Sequence, residues 1–371
     1  MAPLVGRQGA FGVALTASRQ IAAQLQLTRP GRDGDEILGN TGLGRTWYLA
    51  EGYTGLTFHQ TVAVLNPDAR RAARVALRIL PIGGRGARTV VLGVAPHSER
   101  VVDINALLPG RSLSIVATAD RGVVVERSLT FSHMRSGRGS LSAYGLTTRA
   151  GTNVAATSWL FAEGSTLNRF ETFLAMLNLG TRIVQVTARF YGRNGVLLRS
   201  VRLTLRPLSR SNIRLNGLVQ ASSVASMVMS DQPIIVERPE YFGSPNGVRV
   251  AGSVVYGLNG AAPRWSFAGG RSHTTSEFLL FFNPSGATVP VRLAFYDANG
   301  RDHAPDHACR QRTVQRGRRT RRTVAHGAAR RDYHLAQRPG LHRRAKRLHA
   351  QPHHPGLDTG LRPVTPSWSL T

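Results

Sequence analysis

The side chains in this sequence that could do chemistry are carboxylates, indoles and a single thiol, and their spacing decides what they can do. Glu51 and Glu163 each stand four residues after a tryptophan, in Trp47-Tyr48-Leu49-Ala50-Glu51-Gly52 and Trp159-Leu160-Phe161-Ala162-Glu163-Gly164. A lone carboxylate can bind a cation or donate a proton, but hydrolysis needs a second group as base or nucleophile. No second carboxylate or histidine recurs at a fixed distance from either glutamate, so each is expected to receive turn amides or an arginine. Trp47, Trp159 and Trp265 could stack on sugar rings, yet one tryptophan per segment at a constant place reads as a core anchor. In Glu126-Arg127 and Glu237-Arg238 the two side chains of a strand point to opposite faces, and one is expected to pair across strands or across the junction between copies. Asn66, Asn178 and Asn283 end apolar runs, where asparagine caps turns.

Other constellations are missing from the sequence. It has no Gly-x-Ser-x-Gly elbow, no phosphate-cradling glycine loop ending in Lys-Ser/Thr, and no His-Glu-x-x-His. Cys309 is the single cysteine, which rules out an intrachain disulfide framework and a cysteine-built zinc site. The expectation is a protein with no catalytic, cofactor-binding or metal-binding residues, and not an enzyme.

The elements that would position these residues come from an internal repeat. The Trp hexapeptide recurs after 112 residues and, decayed, as Trp265-Ser266-Phe267-Ala268-Gly269-Gly270 after a further 106. Each asparagine follows its tryptophan by 18 or 19 residues. A strand-like stretch closing on glycine comes next (75–84, 186–195, 291–300), and Val124-Val125-Glu126-Arg127-Ser128 matches Ile235-Val236-Glu237-Arg238-Pro239. Landmarks in one order at the spacing of a small domain mark a tandem repeat. Period-two alternation, as in Arg74 to Ile79 and Val201 to Arg206, indicates half-buried strands, six or seven per copy. The expected fold is all-β, a tandem array of immunoglobulin-like β-sandwiches with a disordered or irregular C-terminal tail.

The boundaries follow. Residues 1–45 read as the C-terminal remnant of a preceding copy plus a Gly/Asp-rich linker at 30–45, with an export signal around Arg7 to Ala17 as the competing reading. Residues 46–157 and 158–263 read as complete copies, whose Gly/Ser/Thr-rich ends at 132–157 and 243–263 are expected to be linkers or exposed loops. Residues 264–300 open a truncated third copy.

After Gly300 the composition changes. Residues 301–371 carry a net charge of +12 and eight of the twelve histidines, against +16 for the 300 residues before them. A nucleic-acid-binding arm, a His-rich metal tract and a stretch read out of frame are the three readings. The last is adopted: a frame advanced by one base across 342–348 allows Ile-Val-Glu-Arg-Ser-Val-Tyr, at the distance from Trp265 where Val-Glu-Arg stands in the two complete copies. No apolar stretch is long enough to span a membrane.

Together the Trp-(Tyr/Leu)-(Leu/Phe)-Ala-Glu-Gly and Val-Glu-Arg motifs resemble a β-domain repeat of bacterial secreted and cell-surface proteins. The resemblance implies an extracellular or surface location and a structural or adhesive array, and it carries over no catalytic residues. The partner would be an extracellular polymer or another surface protein, with nucleic acid a partner only if the tail is genuine. Polyanion binding through the Arg-rich tail is the alternative function, and carbohydrate binding through the tryptophans a weaker one.

Overall fold

The computed structural model describes residues 10–29, 33–55, 57–132, 135–136, 139–140, 144–167, 170–220, 222–243, 250–267, 278–296 and 309–311. All of them lie in one compact unit, Met1–Arg318. The Arg/His-rich tail, apart from Cys309–Gln311, falls outside the described residues, as do Arg7 and Gly269.

The described residues are nearly all β. Strands β1 (Gln24–Arg29) and β2 (Asp33–Leu38) form an antiparallel hairpin. There follow β3 (Gly44–Leu49), β4 (Phe58–Asn66), β5 (Ala73–Pro81), β6 (Arg88–Val94), β7 (Ser98–Asp103) and the long β8 (Leu113–Ser132). Two-residue strands β9 (Arg135–Ser136) and β10 (Gly139–Ser140) lead to β11 (Tyr144–Ala150). Next are β12 (Ala156–Phe161), β13 (Phe170–Asn178), β14 (Val184–Tyr191), β15 (Leu197–Leu205), β16 (Ser209–Arg214), β17 (Ala225–Gly243) and β18 (Val250–Tyr256). Short strands β19 (Val289–Val291) and β20 (Cys309–Gln311) pair with each other. Helix among the described residues is limited to one turn, α1 (Ile104–Leu107), capped by the Asp103 carboxylate, and to 3₁₀ turns at Arg193–Gly195 and Leu215–Gly217.

Two seven-stranded curled sheets have the same strand order. In the first, the N-terminal half of β8 lies between β3 and β5, and its C-terminal half between β4 and β11. In the second, β17 divides in the same way between β12 and β14, then β13 and β18. A strand that serves both halves curls its sheet around one core. That core takes Trp47, Leu77, Ile79 and Ile115 from one half and Val62, Val64 and Val125 from the other. The turns entering β7 and β16 repeat as well. His97 and Leu208, 111 residues apart, both hold φ at 47°, a conformation that costs a non-glycine residue about 1–2 kcal/mol.

Three segments differ from the sequence reading. The 30–45 linker contains β2 and the start of β3. The stretches expected as linkers or loops at 132–157 and 243–263 contain β11 and β18, each paired to the central strand of its sheet. Their small residues are packing devices rather than turn signals: a Cβ on Gly145 would lie 1.8 Å from the Phe131 ring, and one on Gly252 would meet both Tyr241 and Phe131.

Candidate functional site

The alternation along β8 builds the site. Val123, Val125, Arg127, Leu129 and Phe131 share one face, and all five are buried. The first two complete the core of their own sheet. Leu129 and Phe131 continue onto the second sheet, where Phe58, Phe131 and Tyr241 make edge-on and tilted ring contacts with centroids 5.3–5.8 Å apart. Arg127 falls between these apolar groups, so its guanidinium must be paired inside the protein. Its Nη1 donates to the Glu51 carbonyl (2.7 Å) and to Glu237 Oε2 (3.0 Å), and its Nη2 donates to Glu237 Oε1 (3.2 Å). Glu237 also accepts the Glu51 backbone N–H.

Glu237 can reach the first sheet because β17 is buried on both faces from Ile234 to Tyr241. One face carries Ile234, Val236, Arg238 and Glu240. The other carries Glu237 and Tyr241 against the first sheet. A second ion pair joins the sheets beside the first: Arg210, on β16, donates to the Glu51 carboxylate and to the carbonyls of Gly52 (2.9 Å) and Leu113. The junction thus buries two carboxylates and two guanidiniums with no net charge. Around it, Arg149 Nε donates to the Val254 carbonyl (2.8 Å), the Val254 N–H to Thr147 Oγ1 (3.1 Å), and the Tyr256 hydroxyl to the Tyr48 carbonyl (2.7 Å).

Burial raises the Glu51 carboxyl above the ordinary glutamate range, and Arg210 and Arg127 oppose the shift. Burial, the largest single effect, would depress the Arg127 guanidinium, but the Glu237 charge and hydrogen bond, with Tyr256 and Glu51, together outweigh it and hold the group above the usual arginine value. Every carboxylate in the junction is held by a guanidinium. Such an arrangement fixes the geometry of the junction.

The second sheet handles the equivalent charge internally. Arg238, matching Arg127, pairs with Glu163 of the Trp hexapeptide and with Glu240 (3.4 Å). Glu240 also accepts the Ser165 N–H (2.8 Å) and the Thr172 hydroxyl (2.7 Å). Leu129 occupies the place of Glu240 in the first sheet, which is why Arg127 needs a carboxylate from its neighbour.

The other sequence-derived residues sit as follows. Trp47 and Trp159 are buried, and each indole N–H is shared between a carbonyl three residues back and a carbonyl of the central strand: Gly44 and Val123 for Trp47, Ala156 and Ile234 for Trp159. Trp265 donates to Ala262 (3.0 Å) but is exposed, so the core-anchor expectation does not hold for it: among the described residues no central strand reaches it. Asn66 and Asn178 are buried turn clamps, each donating to three carbonyls and accepting an N–H two residues on. Asn283 keeps only the local part of that clamp, to Ala287 and from Ser285. Glu126 is half-buried beside Glu99; burial and the Glu99 charge raise it.

Sequence reasoning missed Arg210, Glu240, Arg149 and the Tyr48–Tyr256 bond. Arg210 carried no repeat signal, because Glu99 stands at its place in the first sheet. A groove of about 470 Å³ lined by Arg45, Asp68, Arg71, Asp120 and Arg121 also escaped notice, and in it Asp68 pairs with Arg71 and Arg121, and Asp120 with Arg121, at 3.4–3.6 Å. No cluster of three or more His, Cys, Asp or Glu able to hold a metal occurs among the described residues, and no helix there is long and apolar enough to cross a membrane.

No protein-family model matches the sequence, and no curated protein matches it. Among solved structures it is similar to a Thermotoga maritima protein, designated 1070, with 17% identity over 29% of this chain and 93% of that one and a TM-score of 0.26. It is also similar to the Anabaena sensory rhodopsin transducer, with 24% identity over 23% of this chain and 96% of that one and a TM-score of 0.20. A calcium-binding mutant of Bacteroides uniformis beta-glucuronidase 2 aligns with 57% of this chain and 26% of its own length, at 10% identity and a TM-score of 0.15. Likenesses of this size carry no argument about fold or activity.

Proposed function

We propose that this chain is a non-enzymatic structural or adhesive array of tandem immunoglobulin-like β-sandwich repeats, working at a bacterial cell surface or outside the cell. The observation that carries the reading is the junction: Arg127–Glu237 and Glu51–Arg210 are buried ion pairs that tie one seven-stranded unit to the next. A spacer needs successive units held in fixed relation, and a buried bidentate pair gives orientation as well as attraction. The Trp hexapeptide and Val-Glu-Arg motifs supply three of its four charged groups, Glu51, Arg127 and Glu237. Their likeness to surface repeats supports the location.

Two experiments test the reading. Antibody labelling of intact native cells is expected to detect the chain outside, and recovery only from the cytosol would overturn the location. Pulling single molecules from their ends is expected to give two main unfolding events, each releasing roughly 35 nm for about 107 residues. Extension without resolved force peaks would overturn the structural role. A second reading, polyanion binding, is supported by the net charge of +28. It requires binding to nucleic acid or an acidic polymer that falls steeply as salt rises.

A further inference from the structure

The outward face of β14 and β15 carries only polar side chains. The apolar residues of both strands turn into the core of the second sheet, so the residues that alternate with them turn out of it. Cross-strand pairing sets Gln185 opposite Thr204, Thr187 opposite Arg202 and Arg189 opposite Ser200. Gln185, Ser200, Arg202 and Thr204 are exposed, and Thr187 and Arg189 are half-buried. Arg189 and Arg202 are diagonal neighbours, about 7 Å apart, on a face roughly 13 Å long. β15 is the edge of its sheet, so the face is open along that side.

Nothing else in the described residues engages these groups. None of the six side chains makes a hydrogen bond or an ion pair within the protein. Other surface arginines, such as Arg71, Arg121 and Arg214, are held by carboxylates. Asp231, the carboxylate at the end of the face, accepts the Gln185 backbone N–H (2.9 Å). Two guanidiniums without a counter-charge thus stand among four neutral donors and acceptors. The first sheet has Arg78 at the place of Arg189, but Ala76, Val91 and Gly93 stand where the second has Thr187, Arg202 and Thr204. The polar face is a property of the second sheet.

We propose that the β14–β15 face binds an acidic polysaccharide, a polymer carrying both carboxylates and hydroxyls. A guanidinium fork meets a carboxylate with two parallel N–H donors. Gln185, Thr187, Ser200 and Thr204 offer the donors and acceptors that sugar hydroxyls need. None of the six residues is aromatic, so the bases of a single-stranded nucleic acid would find no stacking platform among them. The inference rests on the second reading above, polyanion binding, and places its site on the sheet rather than on the Arg-rich tail.

The test uses the full-length protein and polygalacturonate, followed by calorimetric titration, with dextran as the neutral control. Saturable binding to polygalacturonate and none to dextran is expected. Arg189→Gln/Arg202→Gln should weaken it at least about tenfold. Arg100→Gln/Arg111→Gln lowers the net charge equally at exposed positions of the first unit and should weaken it less than about twofold. Thr187→Val/Ser200→Ala keeps the charge and should weaken binding about fivefold through lost hydrogen bonds. Unchanged binding by the Arg189/Arg202 variant would overturn the site while leaving polyanion binding to the tail. Equal loss in the two arginine variants, or parent-like binding by the Thr187/Ser200 variant, would also overturn it, because charge alone would then be recognised. Binding of single-stranded DNA without binding of polygalacturonate would overturn the polysaccharide assignment but not the second reading, and binding of neither would overturn both.

Discussion

Glu237→Ala removes the carboxylate that receives both ends of the Arg127 guanidinium and the Glu51 N–H. Arg127 is fully buried, and its one remaining acceptor is the Glu51 carbonyl. Truncating one partner of a buried ion pair costs about 3–5 kcal/mol, because the surviving charge is left without compensation. If residues 44–256 unfold as one unit, each kcal/mol moves the midpoint by roughly 2–4 °C. Calorimetry of the Glu237→Ala variant should therefore show a midpoint about 6–20 °C below the parent. The first sheet should lose stability along with the second, although the substitution lies in the second. Arg127→Met combined with Glu237→Leu leaves no buried charge at that pair and should recover most of the loss, short by about 1–2 kcal/mol for the Glu51 groups left unpaired. A drop of less than about 3 °C for Glu237→Ala would refute the reasoning. So would a double variant as unstable as the single one, since the cost would then not come from an unpaired charge.

Glu51→Gln should also destabilise, by about 2–4 kcal/mol, through the stranded Arg210 guanidinium, as denaturant unfolding would measure. Asn178→Ala removes donors to three carbonyls at one turn and should cost about 2–3 kcal/mol, seen as a lower urea midpoint at unchanged slope. Glu126 and Glu99 are both raised above the ordinary carboxylate value, so between that value and their folded one the native state binds more protons than the unfolded chain. Stability should thus fall as pH rises through that window, and Glu126→Gln should flatten the fall in a series of melts from pH 4.5 upward; parallel curves would contradict this. His97→Gly relieves an exposed left-handed residue and should raise stability by about 0.5–1 kcal/mol in chemical denaturation.

Much of the fold is legible in the sequence, because the signals that carry it are local. Alternating residues mark β5 and β15, and the asparagine clamps sit where apolar runs end. What sequence reading misses lies where a residue answers to its neighbour rather than to its own strand. β11 and β18 look like linkers because Gly145 and Gly252 make room for the rings of Phe131 and Tyr241, which is invisible without the partner strand. The Val-Glu-Arg motif suggests a pair across the junction, but not which glutamate meets which arginine. Arg127 reaches Glu237 while Arg238 turns to Glu163, and the difference traces to Leu129 standing where the second sheet has Glu240. Arg210 gives no repeat signal at all, since its counterpart is Glu99. Trp265 shows the converse: its bond to the Ala262 carbonyl is kept, yet it is exposed, because among the described residues no central strand reaches it.

The central claim is that the ionic junction holds the two sheets in one fixed relation. With Cys309→Ser as background, spin labels at the exposed positions Arg100 and Arg199 place one probe on each sheet. A pulsed electron-spin measurement of the distance between them should give a single narrow distribution that broadens in the Glu237→Ala variant. A broad or multi-peaked distribution in the parent protein, unchanged by that substitution, would contradict a rigid array and leave the two sheets as independently tethered modules.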